Sequence, residues 1–209
     1  NCNIDEYRYG IGDEGSLGTL HAYNTITNNK LSGNYYGIFL STTIGMSPCP
    51  EIYQTGSHDH VISGNTISNS QYGVYLESVS NSLIETNTIS NSMKGIYLDS
   101  ATHYGTPYCY SNSNIIKSNT IIDNGGTGIY LGRSHGNTVE VNVLENNLHG
   151  LYVGISGSYS HYNILRGNTI TNSDYIGIGV NGKDNIVENN EICGSQKSDI
   201  YQNPCDFPY

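Results

Sequence analysis

Five stretches of the chain are near-copies of one another: Tyr36-Gly-Ile-Phe-Leu40, Tyr72-Gly-Val-Tyr-Leu76, Lys94-Gly-Ile-Tyr-Leu98, Thr127-Gly-Ile-Tyr-Leu131 and His149-Gly-Leu-Tyr-Val153. Upstream of each lies a run of the form N-x-[IL]-x-x-[NS], preceded by another of the N-[IT]-[IV] type. The asparagine opening the middle run recurs at Asn29, Asn65, Asn87, Asn119, Asn142, Asn168 and Asn190, with spacings of 36, 22, 32, 23, 26 and 22 residues. The base period is therefore about 22 residues, and three units carry extra sequence. Short Ile- and Val-rich runs bounded by Asn, Ser, Thr and Gly read as strands separated by turns. No segment keeps the i, i+3, i+4, i+7 apolar spacing of a helix. Units this small cannot each make a core, but they make a common one if each is a coil stacked on the last.

Stacking at about 4.8 Å per coil places equivalent residues over one another. In the strand Gly95-Ile96-Tyr97-Leu98, alternation sends Ile96 and Leu98 inward and Tyr97 outward. One inward column is then Ile38, Val74, Ile96, Ile129, Leu151 and Ile178, and another is Leu31, Ile67, Ile89, Ile121, Leu144, Ile170 and Ile192. Burial of each such side chain contributes roughly 1.5–3 kcal/mol before ordering costs. The reference asparagines form a column at a turn, where Asn takes up the left-handed conformation, bonds to backbone and bonds to its stacked neighbours.

This pattern resembles the right-handed parallel β-helix, and within it the short Asn-rich repeats of pectate-lyase-like proteins, NosD-like proteins and archaeal and bacterial surface proteins. The resemblance covers residues 24–202, with a weaker coil at Tyr9-Gly10-Ile11-Gly12. It implies an all-β fold, a single-stranded right-handed β-solenoid of about 7–8 coils with three short strands in each. Residues 1–23 are then an N-terminal partial coil or edge, 24–202 the repeats with insertions at 41–57, 99–111 and 154–160, and 203–209 a C-terminal tail. The same repeat carries lyases, epimerases, adhesins and scaffolds, so the resemblance leaves function open.

Eight Lys and Arg against 18 Asp and Glu, a net charge of -10, argue against a nucleic-acid groove, which needs clustered cations. No apolar run is long enough to span a membrane, and no charged-then-apolar leader opens the chain, which reads as a mature, processed or excised piece. Five cysteines without CxxC spacing, scarce lysine and abundant Tyr and Asn suit an extracellular or cell-surface protein with disulfides. Cys49 and Cys109 fall in equivalent insertions and form one candidate pair. Cys193 and Cys205 form another, which would tie the tail across the last coil, and Cys2 is left for an intermolecular bond or a free thiol. No Asn-x-Ser/Thr sequon occurs, so the asparagines call for a structural explanation.

The insertions all follow the G-[IL]-[YF]-[LV] strand and therefore line one edge of the stack, where protruding loops carry function. The first ends in Ser57-His58-Asp59-His60 and the second contains Asp99 and His103. Histidines flanking a carboxylate suit metal binding or acid–base chemistry, and the resemblance to β-helix epimerases and lyases implies comparable groups. His60, however, also fills the slot held by Asn114, Asn137, Asn163 and Asn185 in other units, which makes it one rung of a ladder. Arg8, Arg133 and Arg166 sit in different units, unlike the clustered acid and base groups of polyuronate lyases, and no paired aspartates suggest a polygalacturonase. Copper, implied by the NosD likeness, has only Met46 and Met93 to draw on. No cofactor is expected; calcium or another metal enters only with the enzyme reading.

The outward column reads Phe39, Tyr75, Tyr97, Tyr130 and Tyr152, with Gly179 interrupting before Tyr201. Aromatic residues are good strand formers, and an exposed aromatic strip also docks sugars or a neighbouring subunit. Neither terminal segment has the periodicity of a capping helix, so the open strand edges invite self-association into a fibre, tube or surface layer. The leading expectation is a non-catalytic extracellular structural solenoid assembling through those edges and the tyrosine column. The alternatives are a polysaccharide lyase or C5-epimerase using His58, Asp59, His60 and His103, and a glycan-binding module.

Overall fold

The computed structural model describes residues 3–15, 21–42, 57–103, 106–154 and 160–203; for 15, 101–103, 106–109 and 201–203 the description is of the backbone alone. The chain winds as a right-handed parallel β-solenoid with three strands per coil. Successive coils build three parallel sheets: a first of seven strands, a second of eight and a third of eight. In one coil, Leu83–Glu85 lies in the first sheet, Thr88–Ser90 in the second and Lys94–Asp99 in the third. No helix occurs among the described residues. Two small pairings lie outside the three sheets. Val79–Ser80 runs parallel to Ser57–His58, and Ala101–His103 makes an antiparallel hairpin with Thr106–Cys109.

The register is the one the repeats require. Ile96 pairs with Val74 and Ile129, and Ile89 with Ile67 and Ile121. Both inward columns are almost fully excluded from solvent up to the partly buried Ile192 of the last coil, and Ile26, Ile62, Ile84, Ile116, Val139 and Leu165 of the first sheet add a third. A single continuous core follows, built of γ- and β-branched side chains from three directions. The glycine of each repeat is required by close approach. A Cβ on Gly95 would stand 2.7 Å from Ile121 Cγ2 of the next coil, so only glycine lets the third strand enter flush with its neighbour.

Each corner is turned by one residue in the left-handed region followed by a buried polar residue. At the first corner the turning residues are Asn28, Gly64, Thr86, Ser118, Val141, Gly167 and Asn189, with φ between 52° and 65°. The sequence pattern placed the ladder asparagines themselves in this conformation; the residue before each one takes it instead. For Thr86 and Val141, branched at Cβ, this costs of the order of 1–2 kcal/mol each. The ladder offsets that cost. Asn119 Oδ1 accepts from the Asn87 backbone N–H and from Asn87 Nδ2, both at 3.0 Å. Its own Nδ2 donates to Asn142 Oδ1 and to the carbonyls of Ile84 and Lys117 at 2.9–3.1 Å. Every polar atom of the buried amide is thereby satisfied.

A second ladder, Asn34, Ser70, Ser92, Asn124, Asn147 and Ser173, stands at the corner between the second and third sheets. The third corner carries Asn24, His60, Ser82, Asn114, Asn137, Asn163 and Asn185.

Candidate functional site

The histidine cluster expected from the sequence divides into three different environments. His60 is 1% exposed and belongs to the third corner ladder. Its Nδ1 accepts the Asn24 backbone N–H at 3.3 Å, and its Nε2 lies 2.6 Å from Ser57 Oγ, which donates to the His21 carbonyl. Both ring nitrogens are thus engaged, which fixes a neutral ring with the proton on Nε2. Burial holds its pKa below the ordinary histidine value. Almost fully buried and bonded to the backbone of the preceding coil, His60 stands as a rung of the ladder with next to no surface open to a substrate.

His58 pairs with Asp59 at 2.7 Å and meets Tyr23 edge-on, at the surface. His103 lies in the hairpin strand Ala101–His103, and its side chain falls outside the described residues. No group of three or more metal-capable side chains converges among the described residues. A second carboxylate–imidazole pair escaped the sequence reading. Asp13 pairs with His21 and accepts Asn24 Nδ2 at 2.8 Å. Asp13 is in register with Leu40 of the inward column, so a polar group tops an otherwise aliphatic stack at this end. The signal was present in Gly10-Ile-Gly-Asp-Glu14, aligned with Gly37-Ile-Phe-Leu-Ser41.

The outer face of the third sheet is organised differently. Phe39, Tyr75, Tyr97, Tyr130 and Tyr152 stand in register on successive coils, as the repeat required. They are less exposed than the sequence suggested. Phe39 and Tyr130 are 7% and 8% exposed, and Tyr75, Tyr97 and Tyr152 are half-buried. The rings cover one another. Phe39–Tyr75, Tyr75–Tyr97 and Tyr97–Tyr130 are stacked at centroid distances of 5.4, 5.1 and 4.5 Å. Burial pushes the phenols of Tyr75 and Tyr97 far up, and that of Tyr130 up to about 12. The faces of these rings are spent on their neighbours, leaving edges and hydroxyls for a ligand. The Tyr201 backbone pairs with Gly179; its side chain is not described.

Beside this stack runs a second column, Tyr9, Tyr36, Tyr72 and Lys94, continued further along by His149 and Ile176. The sequence reading passed over it, although each of these residues stands immediately before the repeat glycine or in its place. Tyr9–Tyr36 and Tyr36–Tyr72 stack at 5.4 and 5.2 Å. The Lys94 ammonium lies 4.2 Å from the Tyr97 ring centroid and 5.1 Å from that of Tyr72, and burial lowers its pKa. Arg8 lies over Tyr9 and Lys197 over Tyr175, on the same margin. The opposite margin is the acidic column Glu14, Glu77 and Asp99. These carboxylates are already occupied. Glu14 accepts the Tyr9 hydroxyl, Glu77 accepts Ser41 Oγ at 2.8 Å, and Asp99 takes the Arg133 guanidinium on both oxygens at 2.9 and 3.0 Å.

The tie expected between Cys193 and Cys205 reaches beyond the described residues at Cys205, and Cys193 itself is exposed with a free thiol. It follows inward Ile192 and therefore points off the second sheet, whereas the chain leaves the last coil from the third. Cys2, Cys49 and Cys205 lie outside the described residues, as does the side chain of Cys109.

Among solved structures, the chain is similar to a mutant of the periplasmic alginate epimerase AlgG, with a TM-score of 0.64 and 18% identity over 96% of this chain. It is also similar to the alginate lyase from Paenibacillus sp. str. FPU-7, with a TM-score of 0.62 and 13% identity over 90% of this chain. It spans 49% of the epimerase chain and 65% of the lyase chain. At these identities the likeness is one of fold. No curated protein matches the sequence. A family model for the right handed beta helix region matches residues 1–158 and again 108–206, and with the stacked coils this establishes that the chain belongs to that family.

Proposed function

We propose that the outer face of the third sheet binds an extended acidic polysaccharide lying along the solenoid axis. The observation that carries this reading is the division of charge across the face. Arg8, Lys94 and Lys197 rest over tyrosine rings on one margin, while Glu14, Glu77 and Asp99 on the other already hold partners within the protein. In a chain with only eight cations, placing these three along one margin of one face offsets there the net charge of -10, which would otherwise repel a polyanion. The tyrosines offer hydroxyl edges once per coil, and a rise of about 4.8 Å is close to that of one pyranose in an extended chain. The solved alginate epimerase and lyase add support through fold alone, and the reading places the protein outside the cytoplasm.

Isothermal titration with alginate oligosaccharides and with their carboxyl-reduced counterparts tests it. The acidic probe is expected to bind the native protein and to lose affinity about tenfold in Lys94→Gln, one charged contact being worth roughly that much. Equal affinity of native and variant protein would remove the face from consideration.

A second reading, end-to-end self-association, is favoured by the last coil, where Ile200, in register with inward Ile178, is about half exposed. In a longer polypeptide the same surface would receive the next coil. Sedimentation of the protein across a concentration series, with Ile200→Ser as the variant expected to dissociate, tests that reading separately.

A further inference from the structure

The outer face of the first sheet carries a column unlike its counterpart on the second. In register, one residue per coil, it runs Thr25, Val61, Leu83, Ile115, Thr138, Ile164 and Ile186. Each opens its strand and points away from the core, the residue after it being the one turned inward. Ile115 and Ile186 are 42% and 48% exposed. The matching position of the second sheet holds Thr66, Thr88, Thr120, Val143 and Thr169. Threonine there meets the strand preference with a hydroxyl turned to water, so that preference alone does not call for aliphatic side chains on the first sheet. Leu83, unbranched at Cβ, is the plainest case. An aliphatic strip from Val61 to Ile186, broken by one threonine, is the kind of surface that marks contact with another molecule.

Beside it on the same face runs a charged column of strictly alternating sign: Glu85, Lys117, Glu140, Arg166 and Glu188. Neighbouring rungs pair within the chain, Lys117 with Glu85 at 3.4 Å and Arg166 with Glu140 at 2.7 Å, and these four side chains remain between 22% and 50% exposed. The two columns hold no aromatic ring and no block of one charge for a sugar or a polyion to read. Their order is instead complementary to itself. A two-fold axis parallel to the strands lays aliphatic column on aliphatic column and charged column on charged column, with the order of coils reversed. Placed midway between the Lys117 and Glu140 rungs, it sets Lys117 against the partner's Glu140 and Glu85 against the partner's Arg166. The same operation sets Ile115 on the partner's Thr138, Leu83 on the partner's Ile164 and Val61 on the partner's Ile186. An axis through either of the two middle rungs would oppose Lys117 or Glu140 to itself, and an axis along the solenoid would lay the aliphatic column on the charged one.

We propose that the outer face of the first sheet is the contact between two copies of this chain, packed side by side with their solenoid axes antiparallel. The aliphatic column supplies the driving force and the alternating charges fix the register. No ion has to be unpaired in the single chain, because the contact joins the existing pairs into larger networks. The interface lies on a different face from the tyrosine column and away from the last coil, so it stands or falls independently of glycan binding and of end-to-end association.

Sedimentation velocity across a concentration series tests it, the native protein being expected to pass from monomer to dimer. Lys117→Glu and Glu140→Lys each oppose like charges twice across the axis, and each alone is expected to weaken the dimer about tenfold or more. In an equal mixture of the two variants every such contact again opposes unlike charges, and dimerisation is expected to return. Exposed pairs of this kind contribute little to folding. Should either variant fail to fold, Glu85→Arg mixed with Arg166→Glu repeats the test at the next rung. Ile200→Ser is expected to leave this dimer unchanged. A native protein that stays monomeric, single variants that associate as the native chain does, or a mixture that remains monomeric would each overturn the proposal. Association lost in Ile200→Ser but kept in the charge variants would assign it to the ends and overturn the proposal equally.

Discussion

The corner ladders and the outer aromatic ladder share one geometry, a like side chain repeated once per coil, yet they use it in opposite ways. In the asparagine ladder each amide is wholly consumed: Asn142 Oδ1 accepts from the backbone and side chain of Asn119, and its Nδ2 donates to Ile116, Glu140 and Asn168. Nothing remains for a ligand, and the column serves only to hold one coil to the next. In the aromatic ladder the ring faces are consumed and the edges are not, and its margin gathers Arg8, Lys94 and Lys197 over tyrosine rings. Repetition inside the corners stabilises the fold; repetition on the third sheet makes a surface that reads a repeating partner.

The largest effect is expected where the inner ladder is cut. Asn142→Ala removes the acceptor for two buried donors and the donor for two carbonyls, and is expected to cost about 3 kcal/mol, read as a lower midpoint in urea with glycan binding unchanged at low denaturant. Tyr97→Ser breaks two stacks and is expected to cost about 1–3 kcal/mol, but with a marked loss of glycan affinity that Asn142→Ala does not share. Equal behaviour of the two variants in both assays would erase the distinction between the ladders.

A smaller effect is expected from pH. His60, His135 and His149 all have pKa values lowered by burial, and the Nδ1 atoms of His60 and His135 accept backbone N–H groups. With folded-state values below the unfolded 6.5, the unfolded chain takes up protons first, so stability is full above pH 6.5 and declines as pH falls below it. Replacing His60 by Asn, the residue of the same rung in five other coils, is expected to flatten that decline in thermal melts recorded from pH 7 to 4. An unchanged profile would assign the acid sensitivity to the remaining histidines. The smallest effect is expected from Thr88→Ala on the outside of the second sheet, within about 0.5 kcal/mol and without change in binding.

The sequence made the coil, its register and two inward columns legible because the repeat is strict wherever packing is strict: Ile96 and Ile89 have no alternative neighbours. It also marked His60 as a possible ladder rung, and its burial and its bond to the Asn24 backbone place it in that ladder. The middle corner ladder was written in the last position of N-x-[IL]-x-x-[NS] and went unread, because Ser and Asn there look like ordinary turn residues. The turning conformation was assigned one residue too late, since Val141 and Thr86 are poor candidates for positive φ until the ladder beside them is seen. Exposure of the tyrosines was misjudged for a physical reason. Alternation says which side a residue faces, but ring-on-ring stacking along the axis buries side chains that point outward. The break at Gly179 stood in the tyrosine column, but Lys94 and Lys197 were out of reach because their meaning depends on neighbours one coil away.

The central claim is tested most directly by fluorine NMR of protein carrying 3-fluorotyrosine, titrated with alginate oligosaccharides. Resonances of Tyr36, Tyr72, Tyr97 and Tyr152 are expected to shift together, while Tyr23 and Tyr162, well exposed but away from the face, stay in place. Shifts confined to Tyr23 and Tyr162, or no shift at any tyrosine, would contradict it.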